Sequence, residues 1–246
     1  MPPLIALTLL TVIPAPIRRA PRPREMGAAV AWYTAVGWLL GGLLVALDSG
    51  LRRTALTAPV VAVLLVAALA LLTGFLHLDG VIDMCDAAFA HRTPTERLVI
   101  ARDPRAGAFG VVGVVLVLLL KGALLAAPLG GHRAATLLCF PALARLAMAG
   151  AIVLLPTARG TAGMGGGVKE HAGWWTLLAA AIIGVIPAIV LLRWDAGALV
   201  AGALIGGACP ALLAIRRLGG TTGDVYGAVC ECAEIGALMA AALLAS

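Results

Sequence analysis

Residues 55–75 read ALTAPVVAVLLVAALALLTGF and carry no charged side chain. A run of this kind matches the roughly 20 apolar residues that a helix needs to cross about 30 Å of hydrocarbon. Lipid offers no partner for backbone N–H and C=O groups, so such a segment has to be helical. It leads straight into LHLDGVIDMCDAAFA, residues 76–90, with Asp79, Asp83 and Asp86 in quick succession. Carboxylates beside hydrocarbon are costly unless they pair, bind a cation or face water.

Further apolar runs flank this one, at about 27–47, 109–127, 134–155, 173–192, 196–215 and 225–245. Together they predict an all-α, polytopic integral membrane protein with about seven transmembrane helices and short motif-bearing loops. The composition agrees, with 62% hydrophobic and 12% charged residues and a mean hydropathy of +1.05. A soluble domain of 246 residues would need more polar surface. The whole chain, 1–246, is read as a single membrane-embedded domain, with 1–26 as an N-terminal interfacial segment and basic linker. In that segment the basic residues follow the apolar part, the wrong order for a secretory signal. The five cysteines form no CxxC pair and are expected as buried thiols, not as a disulfide framework or zinc site.

With the N-terminus inside, one side holds Arg18, Arg19, Arg22, Arg24, Arg92, Arg97, Arg102, Arg105, Arg159, Lys169, Arg216 and Arg217. The other holds only Arg52, Arg53, Arg133 and Arg193. This bias follows the positive-inside rule and places the loops after spans two, four and six on the cytoplasmic face. The net charge of +6 then reflects topology and anionic ligands, not nucleic acid. Lys121 and Arg145 fall inside apolar runs. Lys121, nearer a span end, is expected to snorkel. Arg145 is expected to pair with a buried acid or with a phosphate in a watered cavity.

Seven of the twelve acidic residues lie in two places: Asp79, Asp83, Asp86 and Asp103, and then Asp224, Glu231 and Glu234. At 100° per residue, positions 79, 83 and 86 share an arc of about 60° on a helix. Carboxylates this close repel, and a divalent cation relieves them; Mg²⁺, which takes oxygen ligands and bridges to substrate phosphates, fits the set Asp79, Asp83, Asp86, Asp103 and Asp224. His77 is a boundary histidine, and Gly80 permits close backbone approach or suits the turn into the helix. In ARDPRAGAFG, 101–110, Arg105 offers a planar fork for phosphate oxygens, and Gly107 stands where backbone N–H groups at a helix start can meet an anion. In GGTTGDVYGAVCECAEI, 219–235, Gly223 precedes a helix on which Asp224 and Glu231 share a face. Glu231 and Glu234 lie about two turns into a span, where uncompensated charge is unexpected.

At these residues the sequence resembles the cobalamin synthase family, the adenosylcobinamide-GDP ribazoletransferases. The matching pieces are TVIPAP, GFLHLDGVIDMCDAAFA, RDPRAGAFG, GTAGMGG after ARG, and LGGTTGDVYGAVCECAE, in family order along nearly the whole chain. The resemblance implies attack by the ribose 3′-hydroxyl of α-ribazole, or of its 5′-phosphate, on the cobinamide-linked phosphorus of adenosylcobinamide-GDP, with loss of GMP and a need for Mg²⁺. It further implies Asp83, Glu231 and Arg105 in catalysis, with either acid as base, and His77, Gly80, Arg145, Arg159, Gly107, Gly163 and Gly223 at the substrates. The setting would be the cytoplasmic membrane of a prokaryote, among lipid and without nucleic acid; a homo-oligomer stays open. The residue between Asp103 and Arg105, a proline, and the cysteines flanking Glu231 depart from the usual family pattern. Two other classes compete. A CDP-alcohol phosphotransferase would have Ala-Arg after Asp-Gly and wider aspartate spacing, which DGVIDMCD lacks; an ion-coupled transporter would spread its acids near the midplane.

Overall fold

The computed structural model describes residues 1–158 and 164–245, which form helices joined by short connections. In chain order the α-helices are α1 (Pro2–Leu10), α2 (Pro23–Ala29), α3 (Tyr33–Leu51), α4 (Ala58–Leu72), α5 (Leu76–Phe89) and α6 (Pro94–Ile100). There follow α7 (Ala108–Ala126), α8 (Arg133–Leu154), α9 (Met164–His171), α10 (Trp174–Leu192), α11 (Asp195–Leu218) and α12 (Gly223–Leu244). Among the described residues there is no strand, only an isolated bridge between Thr157 and Thr221.

Among the described residues six helical stretches are long and apolar enough to cross a membrane, or seven if the bent pair α4 and α5 counts as one span. Helix α8 is the hub, 78% buried over its apolar window against 22% for α10, which is an outer helix. Outward faces are greasy: Val112, Leu116 and Leu119 on α7 and Ile182, Ile186 and Val190 on α10 are exposed. Stacked Trp174 and Trp175 start α10, and Trp194, 91% exposed, follows its end. Over 19 residues the helix rises about 28 Å, so the indoles stand at the levels of the two membrane interfaces.

Helices with little hydrophobic drive to associate inside lipid use small residues to bring backbones together. A Cβ on Gly41 of α3 would lie 2.2 Å from the Leu138 carbonyl oxygen of α8, and one on Gly236 of α12 would lie 2.1 Å from that of Gly202 on α11. Both crossings use GxxxG spacing, Gly37 with Gly41 and Gly202 with Gly206.

The second predicted span is broken. Helix α4 has 15 residues, about 22 Å, too short to cross alone. The chain then turns by 90° through Thr73–Phe75 into α5. Gly74 and Phe75 both have left-handed backbone, φ 58° and 60°, and the Thr73 hydroxyl donates to the Leu69 carbonyl at 3.0 Å. The Val12 N–H, from the segment after α1, donates to the Leu72 carbonyl at 2.9 Å and so caps the break. The aspartates therefore stand along a separate helix that packs against α12 and α7, not at the mouth of a straight span.

Elsewhere the ends are held by local chemistry. Thr93 and Glu96 form a capping box on α6. Buried Arg97 donates from Nε to the Arg92 carbonyl at 2.8 Å and from Nη1 to that of Ala88, closing the C-terminal end of α5. Loops after α8 and α11 meet where the Ala158 N–H donates to Thr221 and the Thr221 N–H to Pro156. With α5 lying against α12, the connections expected on one face converge at one end of the bundle.

Candidate functional site

The site begins where α5 crosses the first turn of α12. A Cβ on Gly80 would sit 2.5 Å from the Asp224 carbonyl oxygen, and one on Gly227 would sit 3.1 Å from that of His77. Gly80 and Gly227 thus let the two backbones touch, which brings the α5 aspartates to Asp224. Asp79 is exposed, Asp83 and Asp224 are half-buried, and Asp83 feels the negative charge of Asp224 first and of Asp79 and Asp86 next. The Thr222 hydroxyl lies 3.1 Å from Asp224 Oδ2 and accepts the Val225 N–H, so it caps α12 and steadies that carboxylate together.

Beside this crossing lies a cavity of about 220 Å³. Its polar rim comprises Asp79, Asp224 and His77, with Gly80, Gly223 and Gly227 between them. Its apolar wall comes from five elements: Leu9 and Leu10 of α1, Met26 of α2, Met148 and Ile152 of α8, and Val168 of α9, with Leu76 at the start of α5. The two tyrosines of the chain, Tyr33 and Tyr226, both line it. Among the described residues, no lysine or arginine lines this cavity.

Beneath the cavity runs a buried chain of charges. Lys121 of α7 donates to Glu231 at 2.9 Å and to Glu234, while Arg145 donates from Nη1 to Glu234 and to the Pro141 carbonyl. Arg145 Nη2 lies 3.4 Å from His77 Nδ1. An arginine only donates, so Nδ1 accepts and the proton of the neutral ring sits on Nε2. That Nε2 is buried and has no partner among the described residues. Two cations thus balance two carboxylates, and Lys121, 2% exposed, is a core ion and not a snorkelling one. The structure brings neither Glu231 nor Arg145 to the cavity: Arg145 is fully buried, and Glu231 is held by Lys121. Of the two partners expected for Arg145, it has the buried acid.

Two further pairs take up groups expected at substrate. Asp86 accepts the N–H of Gly107 at 2.6 Å and of Gly110 at 2.9 Å. The anion at the N-terminus of α7 is thus the protein's own carboxylate. Asp103 and Arg105 form a forked pair at 2.9 and 3.0 Å, with Arg105 85% exposed. The guanidinium holds the Asp103 carboxyl below its usual range, and the Asp103 carboxylate raises Arg105 in turn. Arg159 and Gly163 lie outside the described residues.

Among the described residues no three His, Cys, Asp or Glu side chains close on one point as a ready metal cage. The donor chemistry at the crossing nevertheless suits Mg²⁺, which commonly takes one or two carboxylates and completes its shell with water and substrate phosphates. Asp79 and Asp224 at the rim, with Asp83 behind them, are the carboxylates that meet at the crossing. The cavity wall itself escaped sequence reading: Leu9, Leu10, Met26, Met148 and Ile152 look like ordinary span residues. One signal stood in the sequence, namely two tyrosines in a chain with 4% aromatic residues, one of them inside the GDVYG motif.

The profile of the cobalamin-5-phosphate synthase family matches residues 2–242. Similar proteins include the adenosylcobinamide-GDP ribazoletransferases of Pseudomonas savastanoi pv. phaseolicola, 39% identical over 98% of both chains, and Pseudomonas putida KT2440, 39% identical over 97% of both. That of Geotalea daltonii is 38% identical over 96% of this chain and 94% of its own. No solved structure matches. With its motifs in order on one bundle and likeness running from end to end, the chain belongs to the cobalamin-5-phosphate synthase family.

Proposed function

We propose that the protein is a membrane-embedded adenosylcobinamide-GDP ribazoletransferase that needs Mg²⁺ and works on the cytoplasmic side of a prokaryotic inner membrane. The meeting of Asp79 and Asp224 at the rim of a largely apolar cavity, with Asp83 close behind them, carries this assignment. The 3′-oxygen of α-ribazole, or of its 5′-phosphate, forms a bond to the cobinamide-linked phosphorus. The bond from that phosphorus to the GMP oxygen breaks, and GMP leaves with the electron pair.

The hydroxyl proton passes to a carboxylate of the cluster. We assign Asp83, because Glu231 is committed to Lys121. Asp79 and Asp224 would hold Mg²⁺, and when bound it would neutralise charge on the diphosphate and on departing GMP. Exposed Arg92, Arg102, Arg105, Arg216 and Arg217 supply a positive field at the same end for an anionic donor. The low-polarity wall keeps water from competing with the acceptor hydroxyl.

The test is GMP release from adenosylcobinamide-GDP by the purified chain in proteoliposomes, with and without α-ribazole and with and without Mg²⁺. Release should require all three components. Asp83→Asn should lower it by at least about a hundredfold, the scale of a lost general base. GMP release that ignores the acceptor would reject the assignment.

A further inference from the structure

We infer that the cavity beside Asp79 and Asp224 is the acceptor subsite: it takes the aromatic base of the ribazole nucleoside, while the nucleotide-activated corrinoid stays outside. The inference rests on the proposed activity and says which of its two substrates enters the fold.

Size decides first. Pockets for drug-sized ligands run about 300–1,000 Å³, and this one is about 220 Å³. A two-ring base fits such a space, and a corrin macrocycle with its side chains does not. Polarity decides second. Guanine carries several donors and acceptors that would go unpaired among Leu10, Met148 and Ile152, a costly burial. A benzimidazole base offers flat apolar faces to Tyr33, Tyr226 and Met148 and one bare ring nitrogen.

An independent observation points the same way. His77 lines this cavity and is 2% exposed, and its Nε2–H has no partner among the described residues. That leaves one donor for the one acceptor of the base. With the base inside and the ribose at the rim, the 3′-hydroxyl lies by the aspartates and the 5′-position faces outward, so a 5′-phosphate stays clear of the carboxylates.

Two variants of the full-length protein in detergent test the subsite. Ile152→Trp fills the cavity. It should raise the KM for α-ribazole at least tenfold, yet leave adenosylcobinamide-GDP binding, measured by equilibrium dialysis, within twofold. Met148→Ala enlarges it. This variant should raise kcat/KM for the riboside of a three-ring naphthimidazole at least tenfold relative to α-ribazole, the scale set by added or missing carbons in an apolar pocket. Such a gain cannot come from misfolding. If wild-type protein turns over but these variants change donor binding instead, or leave acceptor preference untouched, the subsite is wrong and the activity stands. If wild-type protein releases no GMP with any acceptor, the activity itself is wrong and the subsite falls with it.

Discussion

Lys121 illustrates how far a residue's meaning depends on its partners. From position alone it is a lysine near the end of an apolar run. In the fold its ammonium meets Glu231, 110 positions away, and Glu234, 113 away. Removing one member of a buried pair leaves a charge without compensation, which costs about 3–5 kcal/mol. Lys121→Met should therefore lower stability by about that amount, read as a lower midpoint of thermal unfolding in detergent. Adding Glu231→Leu should restore much of the loss. A double variant no better than the single one would show that the pair is not coupled. Glu231→Gln should act in the same way, through stability more than through the Mg²⁺ requirement, because its carboxylate faces the core ions.

Among the elements, α5 does the most with the least length. Its spacing places Asp79, Asp83 and Asp86 on one side, but the structure divides their work. Asp86 closes the N-terminus of α7, whereas Asp79 reaches the cavity rim. Asp86→Ala should cost about 1–2 kcal/mol, as for a lost cap, and leave the Mg²⁺ concentration for half-maximal rate unchanged. Asp79→Asn should raise that concentration at least about tenfold, equivalent to about 1.4 kcal/mol of lost metal affinity. Equal Mg²⁺ responses in the two variants would contradict the division. Gly80 belongs to the same element for a packing reason. A methyl group there must push α5 off the α12 backbone, so Gly80→Ala should lower kcat without removing any polar group. An unchanged kcat would show that the crossing tolerates the added width.

For the molecule as a whole, the basic loops and the bridge between Thr157 and Thr221 put the working end on one side. Paired bridge residues lie about 5 Å apart. Cysteines at both positions should therefore cross-link on mild oxidation and be recovered as a joined peptide by mass spectrometry. Reporters fused after Arg105, Lys169 and Arg217 should all read cytoplasmic, as the distribution of basic residues requires. An outside reading at any one of them would separate the loops that the site draws together.

How much of this was legible follows from the range of the forces involved. The apolar runs and their helical class are set by local composition, because a bilayer tests each run of about 20 residues for its own apolarity. The 3.6-residue period likewise aligns Asp79, Asp83 and Asp86 without reference to the rest of the chain. Nothing local could show that the second span breaks at Thr73–Phe75, since its apolar run continues up to the bend and the turn is held from outside by Val12. Nor could it show that Asp86 serves α7, that Lys121 neutralises Glu231 and Arg145 pairs with Glu234 in the core, or that Leu10, Tyr33, Met148 and Tyr226 share one cavity. Those facts depend on contacts across dozens to more than a hundred residues, where packing volume and charge compensation between helices, not the pattern along any one of them, choose the partner.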